Sequence, residues 1–236
     1  MERISTQGAI YKLIKYTDSS AIALAYTKEF GKIKLFMPKA YSGKSGVLSL
    51  IPGEIDFLKK DNSDLNRLYN FRPDPAFMSF VNEPILSLRL ILVYDIFDNL
   101  YEVEQKEPIL WSLITRFDKN NASSVFIFSL YALLKNSGNM FSCDFCPTCG
   151  KEVRGEAALF SGFYYCSNCA PEGSLLIGSD EDLILRSLSK PKLYKNIKIS
   201  LHQELKVAEI LVNHTEAAIG KNVKSFNTFK TLITSL

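Results

Sequence analysis

Histidine is nearly absent from this chain: two occur in 236 residues, His202 and His214. A catalytic zinc keeps one coordination position open, and its protein ligands usually include histidine. Neither His202 nor His214 lies near the cysteines in sequence or in a nucleophile motif. There is no H-E-x-x-H, no calcium-loop pattern and no complete phosphate loop. Gly43-Lys44-Ser45 ends like a Walker A motif, but Pro38 stands where the first glycine is required. Long apolar runs are also missing. The best candidate, Ile85 to Tyr94, is short and contains Arg89, whereas a membrane span needs roughly 20 apolar residues. Met1-Glu2-Arg3-Ile4-Ser5 has no signal-peptide pattern. These absences lead to the expectation of a soluble, cytoplasmic protein with no membrane partner, and nothing among them argues for hydrolysis.

What the chain does have is cysteine in pairs. Cys146-Pro-Thr-Cys149 and Cys166-Ser-Asn-Cys169 are two C-x-x-C motifs with residues 150–165 between them. Each pair can grip one ion with two thiolates, and the spacer suits a hairpin that returns the second pair to the first. Zinc takes four soft ligands in a tetrahedron. All four places can be sulfur, so the expected site is one structural zinc ion. Gly150 and Gly162 flank the loop, where backbone turning close to a metal requires positive φ. A disulfide pair is disfavoured where cytosolic thiols stay reduced. Cys143 makes an overlapping C-x-x-C with Cys146. Cys146 and Cys149 are preferred because Cys149-Gly150 has the usual knuckle ending, and whether Cys143 is a ligand stays open.

Charge is unevenly placed. Residues 1–60 hold ten Lys/Arg against five Asp/Glu, and 186–236 hold nine against three. Residues 61–185 hold nine against seventeen, so two basic ends flank an acidic middle. Basic ends of this kind suit an anionic partner.

Local patterning divides the chain near Arg72-Pro-Asp-Pro75. Before it, strands are expected at 8–16, 21–27, 32–37, 47–51 and 54–59, the last two split by a Pro52-Gly53 turn. Five short strands in about 75 residues suit a small barrel such as the OB-fold. After it, helices are expected over 85–103, 108–117, 122–134, from 179, and over 202–218 and 223–236. Phe126, Phe128, Tyr131 and Leu133 read as helix core. The expected class is therefore α+β. Residues 1–75 would form an OB-fold DNA-binding domain. Residues 76–236 would form a helical domain with a zinc-ribbon-like insert at about 143–172.

In this order the parts resemble the RecO family of bacterial DNA repair proteins. Tyr26-Thr27-Lys28-Glu29-Phe30-Gly31-Lys32 resembles that family's T-x-E-x-G-K turn. Lys39-Ala40 and Lys44-Ser45 resemble its basic loop. The cysteine segment resembles the zinc segment carried by many members. Ile219-Gly220-Lys221 with Lys224-Ser225 resembles its terminal G-x-x-x-K-S segment. Two positions depart from the pattern: Thr17-Asp18 stands for Gly-Glu, and Ala40 for Gly. The resemblance implies a recombination mediator. Such a protein binds single- and double-stranded DNA, anneals complementary strands and acts with RecR. It helps load RecA on DNA coated by single-stranded DNA-binding protein (SSB), binds the SSB C-terminal tail, and works at the nucleoid.

The residues fit a nucleic-acid role in their own right. Lys12, Lys15, Lys32, Lys34, Lys39 and Lys44 fall on the first and third expected strands and the following loop, with Tyr11, Tyr16 and Tyr41 as candidate stacking rings. Lys221 and Lys224 offer a second DNA surface or a partner surface. The alternative reading is a zinc-ribbon nucleic-acid-binding protein of transcription or translation. Against it, the segment from Cys143 to Cys169 holds only Lys151 and Arg154 beside Asp144, Glu152 and Glu156, a balance of about −1 that suits phosphate poorly.

Overall fold

The structure, a computed structural model, describes residues 2–41, 50–60, 63–118, 120–190 and 197–235. The chain is α+β and divides into two compact units, Met1–Phe117 and Asp118–Leu236.

The first unit opens with β1 (Glu2–Lys15), β2 (Ala21–Thr27), β3 (Gly31–Met37), β4 (Pro52–Lys59) and β5 (Leu65–Pro73). They close into a barrel in the order β1-β2-β3-β5-β4. All pairings are antiparallel except β3 with β5, the parallel contact that closes the barrel. Long β1 pairs with β4 through its first half and β2 through its second, the two overlapping at Gly8 and Ala9, and a bulge between Ile10 and Lys12 interrupts the pairing with β2. Alternating residues fill the interior: Ile10, Ala23, Ala25, Ile33, Leu35, Ile55 and Phe57 are all buried.

Five strands were expected and five are present, but they are not the same five. Residues 42–49, with most of the expected 47–51 strand and Gly43-Lys44-Ser45, lie outside the described residues. Pro52-Gly53 is no turn; it begins β4. A Cβ on Gly53 would meet the Arg72 carbonyl oxygen at 2.4 Å, so glycine serves close strand approach. The fifth strand is β5, which was not expected.

The strands end at Pro73, yet this compact unit runs on to Phe117. It includes α1 (Met78–Val81), α2 (Pro84–Leu100) and α3 (Pro108–Ile114). Proline stands in the first turn of α2 and α3, where its missing N–H costs nothing. Helix α2 lies on the barrel. Tyr94 stacks on Tyr11 at 5.1 Å, and Phe97 meets Tyr26 edge-on at 5.2 Å. The chain after α2 continues along β3, with Glu104 N–H donating to the Lys32 carbonyl and Lys32 N–H to that of Gln105.

The second unit contains α4 (Ala122–Asn136), α5 (Ser179–Leu188), α6 (Leu201–Ile219) and α7 (Lys224–Thr234). Between α4 and α5 sits a three-stranded sheet of β6 (Ala157–Phe160), β7 (Phe163–Cys166) and β8 (Leu175–Ile177), in the order β7-β6-β8. Helix α6 starts with a Ser200/Gln203 capping box and ends on Gly220 at φ 71°. Phe126, Tyr131 and Leu133 are buried as expected, and Phe128 is half-buried. Among the described residues no helix is long and apolar enough to cross a membrane.

Candidate metal centre

The cysteine segment builds its site from two short turns. In the first, Gly150 N–H donates to the Cys146 carbonyl and Cys146 N–H to that of Lys151. Gly150 sits at φ 69°, as its place after Cys149 anticipates. In the second, β7 delivers Cys166 at its end, and a single 3-10 turn over Ser167–Cys169 brings Cys169 round. Gly162, at φ 82°, makes the β6–β7 turn that returns this half to the first.

The four sulfurs of Cys146, Cys149, Cys166 and Cys169 all lie within 4.8 Å of one another. Cys149 Sγ and Cys166 Sγ are 3.9 Å apart. Tetrahedral bonds of about 2.3 Å place sulfurs about 3.8 Å apart, so the cluster has the size to hold one metal ion. The acid chemistry agrees. Burial opposes ionisation of Cys146, but the backbone around Cys166, Cys149 and Thr148 donates to its sulfur and brings the thiol down to about 6. Hydrogen bonds from Cys169 to Cys166 and Cys149 hold its proton and raise it to about 12. Four crowded thiols cannot all ionise unless a cation sits among them.

Cys143 is outside the cluster. Burial raises its thiol to about 12, against the nearby Arg186 charge, so it stays a protonated small apolar residue.

The hairpins carrying the ligands are tied to α5 by one buried carboxylate. Asp182 accepts from Tyr164 Oη at 2.8 Å and Gly155 N–H at 3.0 Å. Arg186 Nε donates to both Asp182 oxygens, and Arg186 Nη2 donates to the carbonyls of Cys143, at 2.6 Å, and Val153. One guanidinium thus holds the chain on both sides of the first knuckle. The acidic start of α5 is readable in the sequence as a helix terminus, but this clamp is not, because its partners lie up to 43 residues away.

On α6, His214 faces the same insert. Its ring meets Phe141 edge-on at 4.8 Å, and its Nε2–H donates to the Asn139 carbonyl. Nδ1 is then a buried acceptor without a partner. Burial holds the imidazole below its ordinary pKa despite that carbonyl. The ring is a packing residue, not a fifth metal ligand.

The barrel lysines separate into different environments. Lys32 is buried, and its ammonium donates to the carbonyls of Asp98 (2.7 Å) and Tyr101 (2.8 Å) and pairs with the Asp98 carboxylate at 2.9 Å. All three of its donors are used, so its expected place on a DNA surface is corrected: it pins α2 to β3. Lys12 shares Asp98 at 3.1 Å, and Lys15 pairs with Asp18 at 2.9 Å; both are exposed. Lys32 and Lys12 hold the Asp98 carboxyl below the usual carboxylate range against the effect of burial. Lys34 is half-buried, and Lys39 is exposed with φ 56°. Lys44 lies outside the described residues. Lys221 and Lys224 are exposed where α7 begins. Of the tyrosines, Tyr11 is buried under Tyr94, whereas Tyr16 and Tyr41 are 61% and 49% exposed. Sequence reading passed over Tyr69, 62% exposed on β5, with the Arg3 guanidinium 3.9 Å from its ring centre.

Comparison with protein-family models and with curated proteins finds no significant match.

Proposed function

We propose that this protein is a DNA-binding recombination mediator of the RecO type, with an OB-fold barrel and one structural zinc ion in a zinc-ribbon-like insert. The observation that carries the reading is a conjunction in one chain: a closed five-stranded barrel in the order β1-β2-β3-β5-β4, followed by helices with a four-thiol cluster between them. The OB-fold is a five-stranded Greek-key barrel that binds oligonucleotides across its strands. Zinc is the ion favoured by four thiolates with no open position. The ion would supply folding energy to a small insert and take no part in chemistry.

The DNA surface in this reading is the exposed Lys15 and Lys39 and the half-buried Lys34 of the barrel with Tyr16 and Tyr41, joined by Lys12 and by Lys44. Lysines neutralise phosphates and release counterions, and tyrosines stack on any base. Screening two strands at once lowers their mutual repulsion, which is the physical content of annealing. The exposed Lys221 and Lys224 suit a second anionic contact, either DNA or the acidic SSB tail. RecR and the RecA pathway enter as partners through the family resemblance, as does a nucleoid-associated cytoplasmic location.

The test is annealing of complementary strands pre-coated with SSB, without ATP, using zinc-loaded protein. The reading expects acceleration that declines with salt and is lost when the SSB tail is deleted. DNA binding without acceleration would favour the zinc-ribbon alternative, and absence of DNA binding would remove both.

A further inference from the structure

One end of the barrel holds an open cavity of about 280 Å³. Its floor is Phe57 and Ile33, both buried, and Phe30 meets Phe57 edge-on at 5.7 Å. The rim carries two lysines, Lys59 and Lys106, and two acids, Glu29 and Glu104.

Asn66 sets this cavity apart. It is 8% exposed and lines the cavity wall. Its Oδ1 accepts from Lys60 N–H at 3.1 Å, which fixes the orientation of the carboxamide. The other end, Nδ2, then carries two donors with no hydrogen-bond partner among the described residues. A carboxamide held by its oxygen, with its donor end still reached by solvent, is free to donate to a group that enters the cavity. The rim is held in shape from two sides. Glu104 adopts φ 66°, uncommon for a non-glycine residue, while its N–H donates to the Lys32 carbonyl. Glu29 is fixed by the Thr6 hydroxyl.

From this chemistry we infer that the cavity is a pocket for one unpaired nucleobase of a bound single strand. The inference rests on the DNA-binding reading above and adds a place for a base apart from the exposed lysine surface. The aromatic and aliphatic floor suits a flat ring. The Asn66 amide donates to a ring carbonyl or ring nitrogen. A rim carboxylate accepts from the ring N–H or exocyclic amine that stands beside such an acceptor in each of the four bases. The match is therefore tolerant of sequence. The rim charges balance, which disfavours a free anion, while Lys59 and Lys106 are placed for the phosphates on either side of the base. The cavity is smaller than the usual site for a drug-sized ligand and suits a single inserted group.

The test uses the full chain and two strands of equal charge: an eight-residue deoxyribose-phosphate strand fully abasic, and the same strand carrying one thymine. The pocket predicts tighter binding of the thymine strand by roughly 5- to 150-fold, the range for one stacked base. It also predicts that the Asn66 side-chain amide resonance moves with the thymine strand and not with the abasic one. Asn66→Ala should collapse the difference in affinity. If that variant fails to fold, the amide resonance of the unaltered protein still decides. Equal affinities with a stationary amide resonance would overturn the pocket and leave DNA binding standing. No binding of either strand, or of an ordinary oligonucleotide at low salt, would overturn the DNA-binding reading and the pocket together.

Discussion

Arg186 and Asp182 stand one helical turn apart on α5 and meet side-on, with Arg186 Nε 2.8 Å from one carboxylate oxygen and 2.9 Å from the other. The pair is mostly buried, and its remaining bonds all go to the metal-binding segment. Arg186→Ala strips the Cys143 and Val153 carbonyls of their donor and leaves Asp182 without its cation. Shells of this kind, mutated beyond the ligands themselves, typically cost 10- to 100-fold in metal affinity. A loss of about tenfold is expected, read by competition with a chromogenic chelator. Unchanged metal affinity would show that the hairpins hold their shape without the clamp.

Cys143 and Cys146 differ in what they hold. Cys143→Ser should retain one bound ion per chain and melt close to the parent. Cys146→Ser should lose the ion and unfold the second unit, because metal binding at such sites supplies on the order of 10 kcal/mol of folding free energy. Metal content by atomic absorption, together with thermal melts, separates the two. Loss of metal from both variants would place Cys143 among the ligands.

Lys32 and Lys39 should behave in opposite ways. Lys32→Met removes an ammonium that satisfies two carbonyls and a largely buried carboxylate. The first unit should lose about 3 kcal/mol in urea denaturation, with oligonucleotide affinity of the folded protein unchanged. Lys39→Glu, on the exposed side, should leave stability alone, weaken oligonucleotide binding and flatten its salt dependence by about one ion. A weakened salt slope in Lys32→Met, with no loss of stability, would return that lysine to the DNA surface.

His214 carries a pH dependence of definite sign. Its folded pKa lies below the ordinary value because burial resists the charged ring. Below the ordinary histidine pKa of about 6.5, the unfolded chain takes up a proton that the folded chain refuses. Stability from this residue is therefore present above that pH and is lost as pH falls toward the folded pKa. The melting temperature of the parent should fall relative to that of His214→Phe from pH 7.5 to 5.5. Metal loss affects both alike and cancels in the difference. A constant gap would mean that the buried ring accepts the proton.

The cysteine site was the most legible feature because its information is local. Two C-x-x-C motifs and two positive-φ glycines specify knuckles whatever surrounds them. Strands β2 and β3 were legible for the same reason, and Ile33 and Leu35 point inward as alternation demands. Lys32 shows where this reasoning stops. Alternation correctly turns it out of the barrel, but outward is not the same as exposed when Asp98 of α2 waits on that side. Pro52-Gly53 misleads in a related way. Read alone it is a turn, whereas the reason for Gly53 is a carbonyl on β5, nineteen positions later. β5 itself, with Arg67, Tyr69 and Arg72 among its residues, carries too much polar surface to stand out as a strand. Asn66 gave no signal at all, since an asparagine between Leu65 and Arg67 in a polar stretch reads as loop.

Barrel closure through β3 and β5 has a consequence for how partners can be recognised. Along the closing seam Lys34–Phe36 of β3 take up Leu65–Arg67 of β5, so those stretches of main chain are not available to an added strand. What docks on the paired strands must be read by side chains, and replacing side chains one by one can map that encounter. The small sheet beside the metal is different: β7 and β8 are its outer strands, and their main chain can still form ladders. There, proline substitution and backbone methylation are the instruments that would reveal a guest strand, and alanine scanning would pass over it.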